Sequence, residues 1–337
     1  MSTITIGDRS FETPILVPSV SSFETQLRPR DALRLQITLQ EPISLVSAYD
    51  VAHEGNELIP LCKTFRKQGA LLLDSGGYET QRISRYSPNN KQERWNFNEY
   101  AKVASEDIYD LIFSYDYFLD EGESTSEFSR RLIRELHAHS KILDITKLIP
   151  VIHRQSLDGR HSLNDDAVLE VFAAVLAQIN CQFIAVPERE LGSGLPARAH
   201  LARRVASTIR QNAKDCYLHI LGCGNLLSFS AFAIAGVTMC DGLEWCRTLT
   251  ADNFHLHHFQ QKELFVDPDY YRGNPIAEFI MESAQPNYAS IVAVRNLLSF
   301  QTFTQSLHQR LNQRTVENFI RDNFGNRAGD AIRALET

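Results

Sequence analysis

Ala70-Leu71-Leu72-Leu73-Asp74-Ser75-Gly76-Gly77-Tyr78 joins a short apolar run to a polar, glycine-rich stop. A run of that length, apolar on both faces, suits a parallel strand buried on both sides. The two glycines that end it predict a tight turn, open enough for backbone or a planar ligand to approach closely. The same pattern recurs as ILVPSV from Ile15, ISLVSA from Ile43, DLIFSYD from Asp110 and KLIPVIH from Lys147. FIAVPE from Phe183, YLHILG from Tyr217 and VTMCDGLE from Val237 complete the set. Helical spacing fills the intervals. Val168, Phe172, Val175, Leu176 and Ile179 share a face in 163–180. Leu201, Val205 and Ile209 do so in 195–212, where Pro196 suits the first turn. Amphipathic patterns also cover 55–68 and 126–139.

Alternating strands and helices of this kind predict an α/β chain folded as a (β/α)8 TIM barrel over residues 1–250. An open doubly wound sheet competes, because periodicity does not register closure, but no GxGxxG follows the first strand. Beyond residue 250 the alternation stops. Patterns near 276–283, 290–311 and 315–335 predict a C-terminal helical extension, 251–337, packed on the barrel in the same domain.

The bulk properties are those of an ordinary globular protein, 43% hydrophobic and 22% charged over 337 residues. A net charge of -7 excludes non-specific attraction of the whole molecule to nucleic acid. Arg198, Arg203, Arg204 and Arg210 are read as a solvated helix face. Cys62, Cys181, Cys216, Cys223, Cys240 and Cys246 form no CxxC pair, so neither a disulfide framework nor a zinc ribbon is signalled. With no apolar leader or membrane-length run, a cytoplasmic setting and no membrane partner are the default expectations.

In a parallel barrel, reacting groups sit at the carboxyl ends of the strands. Ionisable residues recur there: Asp50, Asp74, Asp116, His153, Glu188 and Asp241. Each singly suits a cap or turn. Their recurrence around one rim points to a site. Gly222-Cys223-Gly224 adds a second glycine turn after the seventh strand.

DSGGY after the third strand, FSYD at the fourth, LGCG at the seventh and AGVTMCDGLEWCRT at the eighth occur in one order. Together they resemble the tRNA-guanine transglycosylase family, whose fold is also a (β/α)8 barrel. The resemblance spans about residues 13–250, with an echo at Arg295-Asn296-Leu297. It implies that Asp241 is the nucleophile at the sugar C1′ and that Asp74 shuttles protons. Asp116 would read the guanine edge and Tyr78 would stack on the base. Ser75, Gly76, Gly77, Gly222, Gly224, Arg247 and His153 would contribute to substrate binding. The chemistry calls for such groups: a carboxylate stabilises an oxocarbenium-like centre and bonds to it, while a second acid protonates the departing base.

The chain departs from the family pattern at Glu79, at His153 and at Pro187-Glu188-Arg189, and it has no CxCxxC cluster. His255, His257 and His258 are expected on the polar face of a helix over 250–264, not on a metal. No cofactor and no structural zinc are expected. The implied function is exchange of guanine for a 7-deazaguanine derivative in nucleic acid, with DNA favoured over tRNA as the polymer. A homodimer or accessory protein would supply further contacts. The alternatives are a nucleosidase that hydrolyses the glycosidic bond, a non-catalytic partner subunit, and another barrel enzyme with carboxylates at its mouth.

Overall fold

The computed structural model describes residues 2–77, 95–139, 142–284 and 286–336. The chain opens with an antiparallel hairpin of β1 (Thr3–Ile6) and β2 (Arg9–Glu12), which alternates exposed and buried positions around the Gly7 turn. Eight parallel strands follow: β3 (Ile15–Val20), β4 (Ile43–Ser47), β5 (Ala70–Asp74), β6 (Leu111–Phe113), β7 (Leu148–Ile149), β8 (Phe183–Pro187), β9 (Tyr217–Leu221) and β10 (Met239–Gly242). They lie in the order β7-β6-β5-β4-β3-β10-β9-β8. A parallel bridge between Val151 and Ala185 joins the two edges. There the Ile152 N–H donates to the Ala185 carbonyl at 2.9 Å and the Ala185 N–H to the Pro150 carbonyl at 2.8 Å. The fold is therefore the expected TIM-type barrel.

Each of the eight apolar runs forms a strand, although β6 and β7 keep only the early residues of theirs. Helices Pro29–Thr38, Ala48–Arg66, Phe97–Ala104, Thr125–His139, Asp165–Leu176, Leu195–Asn212 and Leu226–Ala235 occupy the connections. Several start on an asparagine whose side-chain oxygen accepts first-turn N–H groups, as at Asn96, Asn164 and Asn225.

Strand side chains alternate between two cores. Leu71, Leu73, Ile184, Val186, Leu218 and Ile220 face the helices. Ile15, Val17, Ile43, Leu45, Leu72, Ala185 and Met239 fill the interior, where Ile4, Ile6 and Phe11 of the hairpin join them. The hairpin thus plugs the amino-terminal end of the barrel.

The tail forms helices Pro275–Ser283, Tyr288–Gln313, Val316–Phe324 and Asn326–Glu336, the last two separated by Gly325 at φ 87°. Their apolar faces merge with the outer barrel core through Val294, Leu297, Phe303 and Ile320. The helix expected over 250–264 does not form. Instead β11 (Leu249–Thr250) pairs antiparallel with β12 (Leu256–His257), and a helix covers only Lys262–Phe265. Tertiary contacts override the weak helical pattern here. Leu249, Phe259 and Val266 pack with Val292, and the Thr250 N–H donates to Asn296 Oδ1 at 2.7 Å. Among the described residues no helix is long and apolar enough to cross a membrane.

Candidate functional site

The interior changes chemistry toward the carboxyl ends of the strands. Two residues beyond Val17, Leu45, Leu72 and Met239, the same inward-facing rows carry Ser19, Ser47, Asp74 and Asp241. Apolar layers therefore give way to a polar one. Ser47 lies beside Asp74 in the β4–β5 register, and Asp241 lies beside Val17 in the β3–β10 register.

Asp241 is 5% exposed, and three groups converge on its carboxylate. Ser19 Oγ donates to Oδ2 at 2.7 Å. His219 Nε2 lies 2.7 Å from Oδ1, and the Gly222 N–H donates to the same oxygen at 3.3 Å. An ionised carboxylate only accepts, so the hydrogen of this contact sits on His219 Nε2. The His219 ring is fully buried against the edge of Phe113, and its Nδ1 has no hydrogen-bond partner among the described residues. Gly222 adopts φ +74°, with open space where a Cβ would project. A side chain there would be strained by the backbone conformation.

Asp74 ends β5 and folds back to accept the Gly76 N–H at 3.1 Å, while Gly77 donates to Ser75 Oγ at 3.3 Å. The glycines serve close packing by the protein's own groups. A Cβ on Gly76, at φ +76°, would lie 2.6 Å from the Tyr49 backbone nitrogen. One on Gly77 would lie 2.0 Å from Asp116 Oδ2. Tyr78 and Glu79 lie outside the described residues.

A second cluster stands beyond the ends of β6 and β7. Asp116 Oδ2 accepts from Ser75 Oγ at 2.8 Å, and Oδ1 lies 2.9 Å from His153 Nε2. The other ring nitrogen, Nδ1, lies 2.8 Å from Glu190 Oε1. Glu190 Oε2 accepts the Arg154 and Gln155 N–H groups at 2.6 and 3.2 Å. Burial opposes a charge on His153, but the flanking Glu190 and Asp116 carboxylates overcome it and push its pKa up to about 10. The ring is thus an imidazolium that donates at both ends at neutral pH.

A cavity of about 220 Å³ opens between the ends of β3, β4, β5 and β8–β10. Asp74, Gly222, Asp241 and Arg247 line it together with Glu188 and Glu244. Ser75, Asp116, His153 and Gly224 lie outside its lining. Gly224 instead packs under the Glu244 carboxylate. Burial raises the Glu188 carboxyl above the usual range, against the pull of Arg198 at 3.1 Å. Burial likewise raises Glu244, opposed by Arg247, and its Oε2 has no hydrogen-bond partner among the described residues. Asp50 turns away to the loop after β3, where it accepts the Ser22 N–H at 2.7 Å.

The tail braces this rim. Trp245 Nε1 donates to the Ser19 carbonyl at 2.8 Å, and Asn296 Nδ2 donates to the Trp245 and Thr248 carbonyls at 2.8 and 2.7 Å. Arg295 pairs with Asp252 at 2.8 Å. His257 stacks on Phe265, and His255 stacks on Phe324. Among the described residues no group of three or more His, Cys, Asp or Glu is arranged to hold a metal ion.

Ser19, His219, Glu190 and Glu244 are absent from the sequence expectations. Ser19 and His219 left a signal, as polar residues interrupting apolar strand runs. Glu190 and Glu244 left none, because their positions depend on loop paths. No protein-family model matches the chain, and no curated protein is significantly similar to it in sequence.

Proposed function

We propose that the chain is a glycosyltransferase that exchanges guanine for a 7-deazaguanine derivative in nucleic acid, with DNA the favoured polymer. The observation that carries the reading is the pairing of Asp241 and Asp74 in one cavity at the strand ends. At about 220 Å³ it falls below the roughly 300–1,000 Å³ usual for drug-sized ligands. That size suits one flipped-out nucleotide better than a stretch of duplex.

In this reading an Asp241 oxygen attacks C1′ while Asp74 gives a proton to the departing guanine. The C1′–N bond breaks and an ester to Asp241 forms. The incoming base then loses a proton to Asp74, its ring nitrogen attacks C1′, and the Asp241 carboxylate is released. Ser19, His219 and the Gly222 N–H hold the carboxylate in a single orientation throughout. The absence of a CxCxxC cluster is what favours DNA over tRNA.

Hydrolysis is the second reading, and Glu188 and Glu244 favour it. Their raised carboxyls share the cavity with Asp241, where either can take a proton from water attacking the ester. Incubation with plasmid DNA, bulk tRNA and labelled guanine separates the outcomes. Label entering DNA is expected. Label in tRNA alone would move the assignment to RNA, and guanine release without incorporation would establish hydrolysis. Neither incorporation nor release would overturn both readings.

A further inference from the structure

A second cavity, of about 310 Å³, lies at the opposite end of the barrel. Its walls come from β2, the starts of β3 and β4, and the long helix Tyr288–Gln313. Phe11, Ile15, Ile43, Leu297 and Phe300 give it an apolar lining. Into this lining is set Glu41, which is 5% exposed. Gln301 Nε2 donates to its Oε1 at 2.9 Å, while Oε2 accepts no hydrogen bond among the described residues. The lining contains no lysine or arginine. His308, its one basic side chain, is engaged by the Pro14 carbonyl at 2.8 Å and by Glu12 at 3.3 Å.

Glu41 is buried as a residue, and its second oxygen is left to meet a donor that enters the cavity. Barrel strands and core packing place it here, far in the fold from the Asp241 cavity. We infer that this cavity is a second ligand site, for a small apolar amine whose ammonium meets Glu41 Oε2 and whose hydrocarbon body lies between Phe11, Leu297 and Phe300. Above about pH 8, where Glu41 is ionised, it repels a carboxylate ligand, and a purely apolar one leaves Oε2 unmet. The volume stands at the lower end of the roughly 300–1,000 Å³ of small-molecule sites, so a one-ring body fits better than a large one. Burial already holds the Glu41 carboxyl at a pKa of about 8, with the Gln301 hydrogen bond opposing. An arriving ammonium therefore promotes loss of its proton.

The test is calorimetric titration of the whole chain, above pH 8 so that Glu41 is ionised, with benzylamine, benzyl alcohol and benzoate. Saturable benzylamine binding, at least tenfold tighter than benzyl alcohol and with no benzoate binding, is expected. Glu41→Gln should reduce benzylamine binding to the benzyl alcohol level. Thr304→Trp, at a half-buried position of the cavity wall, keeps Glu41 and should abolish binding of both compounds. Equal affinity for amine and alcohol, amine binding unaffected by either variant, or no saturable binding of benzylamine would overturn the inference. Base-exchange activity is no part of the readout, so its failure leaves this result standing.

Discussion

Two buried imidazoles contact aspartates near the same rim, and they are held differently. Among the described residues, His219 meets a single carboxylate, Asp241, and leaves its Nδ1 unpartnered. His153 is clasped between Asp116 and Glu190 and carries a charge. Asp241 lines the cavity; Asp116 does not. The same pair of residue types thus makes a presented carboxylate on one side and a closed ionic brace on the other. Residue type alone does not separate reactive from structural aspartates. What separates them is whether the imidazole serves one carboxylate or two, and whether the cavity reaches the aspartate.

The largest expected effect is on the presented carboxylate. Asp241→Asn should lower base exchange on the order of 10³-fold or more, with little change in melting temperature, because it removes the group proposed to bond to C1′. A loss under tenfold would assign the chemistry to another residue.

The brace should fail in stability first. Glu190→Gln removes one of the two carboxylates from a buried imidazolium, and a broken buried pair costs about 3–5 kcal/mol. Urea unfolding would measure it. The pH dependence carries the same sign. The His153 pKa rises from 6.5 to about 10 on folding, so its contribution is complete below about pH 6.5 and fades as pH climbs through about 10. Wild-type stability should decline across that window, and Glu190→Gln should flatten the decline. An unchanged slope would mean that His153 is not the titrating group.

Smaller effects sharpen the contrast. Ser19→Ala deletes a hydrogen bond to the Asp241 carboxylate, worth roughly 1.5–3 kcal/mol for a charged acceptor. Exchange should slow about 10- to 100-fold with folding intact. Gly77→Ala pushes a methyl group onto Asp116 and should destabilise by about 1–3 kcal/mol, as overpacking does. Arg247→Ala should do least. Its ion pair with Glu24 at 3.2 Å is half exposed, so stability should change by under about 1 kcal/mol. If Arg247 meets a phosphate, the salt slope of nucleic-acid binding should fall by about one.

Much of the barrel was legible in the sequence because a buried parallel strand has few disguises. ALLLD and FIAVP are strands from end to end. The hairpin Thr3–Glu12 was missed although TITI alternates and Gly7 turns it, since its partner run is short and polar. Residues 250–264 misled because Asn296, far along the chain, decides their path. At the site, Asp74, Gly222, Asp241 and Arg247 meet at one cavity. Asp116 and His153 meet each other instead, through loops whose course no periodicity encodes. Glu190 was invisible for the same reason.

The most direct measurement is to trap the ester. Wild-type protein mixed with DNA and quenched under denaturing conditions should give a protein–DNA adduct, and peptide mass mapping should place the added mass on Asp241. Asp241→Asn should give none. An adduct mapping to another residue, or its absence from wild type under conditions where guanine is released, would contradict Asp241 as the nucleophile.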